Sequence, residues 1–201
     1  MRMYGITGGA GSGKTEAAKR FAALGFSVFD ADALGHEIIA PGGAAESAVL
    51  EAFGDAILTD GGIDRAKLGA LVFQDSAARE RLNAIMHPLI HDEVFRRAAL
   101  LKGDRGEAPV IVDAALLAEN GRKEPWMDGL ILVLCSREER LRRLVTRRGL
   151  SPVQANQRMD AQSPPEKKLA LADYVIHNEG SVEALWDQVD AIAKAVRNEG
   201  Q

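Results

Sequence analysis

Short aliphatic runs separated by amphipathic stretches organise the chain. Met3 to Thr7, Phe26 to Phe29, Val110 to Val112, Gly129 to Leu134 and Tyr174 to Ile176 are rich in aliphatic and β-branched residues. They do not alternate with polar positions, which predicts strands of a parallel sheet covered on both faces. Helical patterns lie between them, so the expected class is α/β, an open sheet with helices on both sides. Ligands of such sheets bind outside the carboxyl ends of the strands.

The rhythm breaks once. The stretch between Asp30 and Val110 is far longer than the dozen or so residues of an ordinary crossover. It carries helical patterns at Ala44 to Phe53 and Ser76 to Leu101, punctuated by Pro41-Gly42-Gly43 and Asp60-Gly61-Gly62. It reads as a helical insertion over the sheet edge, with a helix boundary at Pro88. After the fourth strand, Ser136-Arg137-Glu138-Glu139 has the form of a capping box, and Ser151-Pro152-Val153-Gln154 repeats it. These two starts predict a helix hairpin turning at Gly149. No internal repeat stands out, and Asn198 to Gln201 reads as a frayed end.

At 201 residues, with 46% hydrophobic and 27% charged residues, the chain has the balance of a soluble globular domain with a subsidiary lobe. A net charge of -4 argues against a general nucleic-acid binder, which needs excess Lys and Arg to displace counterions from phosphates. Cys135 is the one cysteine, so neither an intrachain disulfide nor a multi-cysteine metal cluster is expected, and a reducing cytoplasm fits. No apolar run approaches the roughly 18 residues of a membrane span, and the first residues lack the form of a secretory signal.

The sharpest signal is Gly8-Gly9-Ala10-Gly11-Ser12-Gly13-Lys14-Thr15, which fits G-x-x-x-x-G-K-[ST] between a strand and a helix. Glycines there let successive amides face phosphate oxygens, and the helix N-terminus adds partial positive charge. Lys14 is expected at the β and γ phosphates of ATP, and Thr15 at Mg²⁺. The alternative is a tight strand-to-helix turn with a chance lysine.

Val28-Phe29-Asp30-Ala31-Asp32 ends the second strand at the same crevice. A carboxylate there can accept the proton of an attacking hydroxyl, and Asp32 is the candidate base; both Asp30 and Asp32 also suit a helix cap. Asp113, after Val110-Ile111-Val112, has the form of a metal-holding carboxylate, though strands commonly end in such a residue. On the helix opened by Ser136, Arg140, Arg143 and Arg147 recur at i, i+3 and i+7, with Leu141, Leu144 and Val145 expected opposite. Such a stripe suits a clamp on a transferring phosphoryl group, or simply a solvated face.

G-I-T-G-G-A-G-S-G-K-T followed by L-G-F-S-V-F-D-A-D resembles the start of the dephospho-coenzyme A kinases. The likeness continues through Pro41-Gly42, Phe53-Gly54, Asp60-Gly61, Leu82-Asn83-Ala84-Ile85-Met86-His87-Pro88, Leu116-Leu117-Ala118-Glu119-Asn120 and Ala172 to Gly180. It implies a three-layer α/β/α P-loop core with a five-stranded parallel sheet at 1–32 and 108–201, a lid at about 136–165, and a substrate-binding insertion at 33–107. It also implies ATP-dependent phosphorylation of the ribose 3'-hydroxyl of dephospho-coenzyme A, a kinase acting in the cytoplasm as a monomer or weak homo-oligomer. Carried over residue by residue, it places Gly8 to Thr15, Glu16, Arg143, Arg147 and Asn178 at the nucleotide. Asp32, His87, Leu116, Glu119 and Arg158 fall at the acceptor, and Thr15 and Asp32 at Mg²⁺; Lys14, Asp32 and Arg143 serve catalysis. Asn178 also suits a simple turn. Two positions depart from the pattern: Ala115 stands where the family usually has proline, and Glu16 where it commonly has a second hydroxyl residue. A kinase for another nucleotide or small alcohol is the alternative reading, and a GTP-dependent switch a more distant one, since no N-K-x-D guanine-reading segment occurs.

Overall fold

A computed structural model describes residues 2–101, 109–114, 117–118 and 121–199. The chain divides into two compact units, Met1–Asp30 with Lys102–Gln201, and Ala31–Leu101.

The first unit is built on a five-stranded sheet of order β2-β5-β1-β6-β7, from β1 (Met3–Gly8), β2 (Ser27–Asp30), β5 (Val110–Asp113), β6 (Gly129–Leu134) and β7 (Tyr174–His177). All pairings are parallel. The inner strands β1, β5 and β6 are buried almost throughout, as unbroken apolar runs require. The edge strands β2 and β7 are only half-buried, a correction to uniform burial: each has a neighbour on one side alone. Helices α1 (Lys14–Ala23) and α8 (Val182–Asn198) share one face of the sheet. There Ala17 and Phe21 pack with Leu185, Val189, Ile192 and Val196 over Tyr4, Ile6 and Ile131. Successive residues of a strand face opposite sides, so Thr7 points away from that layer. Among the described residues, the remaining α-helices of this unit are α6 (Arg137–Arg148) and α7 (Pro152–Asp160), followed by a 3-10 segment at Pro165–Leu171.

The fraying expected from Asn198 does not occur at Asn198, which ends α8 (Val182–Asn198), or at Glu199, which caps it; Gly200 and Gln201 lie outside the described residues. The Glu199 carboxylate accepts from the hydroxyls of Tyr4 and Tyr174, and Arg2 lies 3.9 Å away. Burial, with the bond to Glu199, pushes the Tyr174 hydroxyl up to about 12, while the bonds from Tyr174 and Tyr4 hold the Glu199 carboxyl below its usual range against the opposing effect of burial.

The second unit contains α2 (Ala31–Ile38), α3 (Glu46–Phe53), the short hairpin β3 (Leu58–Thr59) and β4 (Gly62–Ile63), α4 (Arg65–Gln74) and α5 (Ser76–Leu100). Its core joins Ile38, Val49, Ile57, Leu68 and Met86, with Leu82, Ile85, Leu89 and Ile90 packed against them. Asp64 and Asp75 cap α4 and α5 with their carboxylates. The boundary expected at Pro88 does not occur, because α5 runs through it. Proline removes one backbone bond there, but apolar residues before and after it are anchored in the same core, and that packing outweighs the local cost.

Candidate active site

β1 hands the chain to α1 through the glycine-rich loop. Gly13 takes a left-handed conformation (φ 96°) at the start of α1, and a Cβ there would lie 2.0 Å from the Asn178 amide nitrogen, so both backbone shape and space demand glycine. A Cβ at Gly9 would sit 2.6 Å from the Arg140 guanidinium carbon. The Ser12 N–H donates to the Gly9 carbonyl at 2.9 Å, closing the turn. The Ser12 hydroxyl is fully buried and, among the described residues, makes no hydrogen bond.

The loop is braced through its carbonyls. Arg140 Nε donates to the Ala10 carbonyl at 2.9 Å, and Asn178 Nδ2 donates to the Ser12 carbonyl at 2.7 Å, joined by an Arg143 nitrogen at 3.4 Å. A trans peptide is planar, so its C=O and the following N–H point in opposite directions. Drawing the carbonyls of Ala10 and Ser12 toward these side chains therefore turns the amides of Gly11 and Gly13 the other way. Together with the partial positive charge at the N-terminus of α1, they supply donors for an anion.

Behind the loop, Lys14 Nζ donates to the Asp113 carboxylate. Asp113 ends β5 and registers with Ile6 on one side and Asp30 on the other, so the carboxyl edge of the sheet gathers the loop and two carboxylates. Lys168, 3% exposed in the 3-10 segment, brings Nζ to 3.5 Å from the Thr7 hydroxyl at the root of the loop.

Helix α6 presents a mixed face. Arg140 and Arg143 are buried together with Leu144, a correction to the expected separation of arginines from leucines. Leu144 lies four residues after Arg140 and so shares its side of the helix. Arg147 lies one turn farther on and is exposed. Burial lowers the Arg140 pKa from its ordinary value, with nearby Glu166 opposing. Besides Ser12, Arg143 donates to the Asn178 carbonyl at 2.9 Å and to Glu139 at 2.7 Å. The first capping box is half formed. Ser136 Oγ accepts from the Glu139 N–H, but the Glu139 carboxylate turns to Arg142 and Arg143, and the Ser136 N–H goes to Glu179 instead. The second box, Ser151 with Gln154, is complete, and Gly149 closes α6 in the left-handed conformation. Arg137 bridges the hairpin to Asn156 and Asp160, each at 2.8 Å.

The structure thus gathers Gly8 to Thr15, Asp113, Arg143 and Asn178 in one place. Thr15 is exposed and Glu16 half-buried in the first turn of α1, the latter 4.0 Å from Lys19. Asp30 precedes α2, and Asp32 is exposed in its first turn. His87 on α5 and Arg158 on α7 are exposed; Leu116 and Glu119 lie outside the described residues. Cys135 is buried just after β6, and burial pushes its thiol up. Arg140, the first of the arginine stripe, was legible as a member of it but not as a loop brace. Gln162, whose Oε1 accepts from the Ala10 N–H at 2.7 Å, carried no sequence signal.

A parallel five-stranded sheet whose central strand ends in a braced phosphate loop defines a P-loop kinase-like protein. The family model described as dephospho-CoA kinase matches residues 2–184, and the chain belongs to that family. A dephospho-CoA kinase of Thiobacillus denitrificans is 43% identical over 193 residues, covering 96% of this chain and 94% of the relative. One from Geobacter sulfurreducens is 43% identical over 194 residues, covering 96% and 97%. Among solved structures, TT1252 from Thermus thermophilus superposes with a TM-score of 0.81 at 32% identity over 96% of this chain and 97% of that one. The dephospho-CoA kinase from Campylobacter jejuni, at 23% identity and a TM-score of 0.58 over 97% of each chain, shares the fold.

Proposed function

We propose that the chain transfers the terminal phosphoryl group of ATP to the ribose 3'-hydroxyl of dephospho-CoA, with Asp32 as the base. Family membership supports the reaction, and the braced loop, with Lys14 beside it, is the observation that carries the nucleotide site. The acceptor oxygen attacks the γ-phosphorus, the bond to the ADP oxygen breaks, and the hydroxyl proton passes to the Asp32 carboxylate and on to solvent. Positioning and charge supply most of the rate, because phosphoryl transfer needs little covalent help.

Lys14 and the loop from Gly8 to Thr15 take the phosphates, through amides such as those of Gly11 and Gly13, since the Ala10 and Ser12 amides are bonded to Gln162 and Gly9. Arg143 has five N–H donors, and the three bonds named above leave two for a phosphate oxygen. Arg147 and Asn178 complete the nucleotide side, and Glu16 borders it. His87, Leu116, Glu119 and Arg158 take the acceptor, with the unit Ala31–Leu101 as its lobe. Thr15 and Asp32, each exposed, carry the hard oxygen atoms that Mg²⁺ takes as ligands and would hold it. When bound, the ion would offset charge on the β and γ phosphates. Asp113, already paired with Lys14, is a further carboxylate that could hold the ion directly or through water. A reducing cytoplasm suits the single buried thiol, and a monomer or weak homo-oligomer is the proposed state.

Incubation with ATP and an acceptor panel tests the reading. Coenzyme A should form from dephospho-CoA, identified by mass and by its 3'-phosphate; phosphorylation of a nucleoside monophosphate alone would replace it with the rival kinase reading.

A further inference from the structure

Ala10 is gripped from three sides by the α6–α7 hairpin and the turn after it. Its N–H donates to Gln162 Oε1 at 2.7 Å, and its carbonyl accepts from Arg140 Nε at 2.9 Å. Its methyl group packs against the hairpin's own small core of Leu144, Ala155 and Met159. Gln162 is itself fixed, because its backbone N–H donates to the Met159 carbonyl at 3.3 Å, just beyond the end of α7.

These contacts act on two consecutive peptide planes. The Gly9–Ala10 plane is held at the Ala10 N–H by Gln162 and at the Gly9 carbonyl by the Ser12 N–H. The Ala10–Gly11 plane is held at the Ala10 carbonyl by Arg140. Without Gln162, the first plane keeps one tether, in a loop whose glycines resist rotation poorly. The second plane, which aims the Gly11 amide, then rests on a less constrained neighbour.

We infer that Gln162 is a positioning residue for ATP, holding the phosphate loop in its receptive shape by capping the Ala10 amide. This rests on the nucleotide site proposed above. Gln162 touches the loop rather than the reacting atoms, so its effect falls on nucleotide affinity and leaves acceptor affinity alone. Preorganisation of this kind strengthens binding by removing an ordering cost. The loss of one such hydrogen bond corresponds to roughly a five- to tenfold change in affinity.

Calorimetric titration with a nonhydrolysable ATP analogue, alongside amide NMR of the nucleotide-free protein, tests it. Gln162→Met removes the acceptor at nearly constant volume, and Gln162→Asn withdraws it by one methylene while keeping the polarity. In both, the analogue should bind about five- to tenfold more weakly and the Ala10 amide proton should move upfield. In turnover assays the KM for ATP should rise by the same factor, with less than about a twofold change in kcat and in the KM for dephospho-CoA. Analogue binding within about twofold of wild type in both variants, or an unmoved Ala10 resonance, overturns the inference while leaving the kinase reading intact. If the wild-type chain does not bind the analogue, the nucleotide reading fails, and this inference with it. A matched loss for both substrates would assign Gln162 a general structural role instead.

Discussion

The Asn178 side-chain nitrogen lies 2.7 Å from the Ser12 carbonyl oxygen and donates to it, tying the turn after β7 to the phosphate loop. Asn178 is 6% exposed, and its own carbonyl accepts from Arg143, so one residue joins the loop to α6. Asn178→Ala removes the stronger of the two bonds at Ser12. We expect the KM for ATP to rise about tenfold and stability to fall by about 1–2 kcal/mol, read by steady-state kinetics and urea denaturation. Asn178→Asp should do worse for nucleotide, because it adds negative charge and an acceptor where a donor is needed.

Asp32→Asn keeps the shape of the first turn of α2 and removes the proposed proton acceptor. The expected result is a fall in kcat of about a hundredfold or more with ATP affinity nearly unchanged. Rapid-quench measurement of the chemical step checks it, and wild-type turnover would take Asp32 out of the mechanism.

Lys14→Met takes the ammonium from beside Asp113, whose side chain is 8% exposed. Loss of that pairing should destabilise the fold by about 1–3 kcal/mol, and the phosphates lose their cation. Calorimetry should show no ATP binding. Lys14→Met combined with Asp113→Asn should recover part of the stability and none of the binding.

Glu139 lies between Arg142 and Arg143, and hydrogen bonds from Arg142 first and Arg143 second pull its carboxyl down to about 2 from an ordinary 4.5. A group depressed in the folded state stabilises it above its unfolded pKa and loses that contribution as pH falls through the folded value. The contribution is therefore present above about pH 4.5 and disappears toward pH 2. Glu139→Gln should flatten that part of the acid limb in a denaturation series, while the wild-type slope persists elsewhere.

The parts legible in the sequence are those set by local chemistry. The loop from Gly8 to Thr15 is one contiguous pattern whose glycines answer to backbone shape, and the five strands are apolar runs whose ends fall within one residue of the observed elements. What escaped is long-range. Nothing near Gln162 signals that its side chain meets Ala10, since the two are brought together only by the turn that follows α7. The Ser136 box failed on its far side because two arginines compete for Glu139, and Pro88 failed as a stop because tertiary packing overrides local preference. The arginine stripe was found by spacing, but which members brace the loop depends on where α6 crosses it, which periodicity does not encode.

The order β2-β5-β1-β6-β7 carries a consequence for assembly on the ribosome. β1 emerges first, yet both strands that flank it, β5 and β6, are translated after the whole of Ala31–Leu101. A nascent chain therefore completes its ATP-binding turn without lateral partners for the strand supporting it, and pairings of such sequence separation form slowly. Nucleotide recognition should be among the last properties acquired in synthesis, after the helical unit has had time to fold.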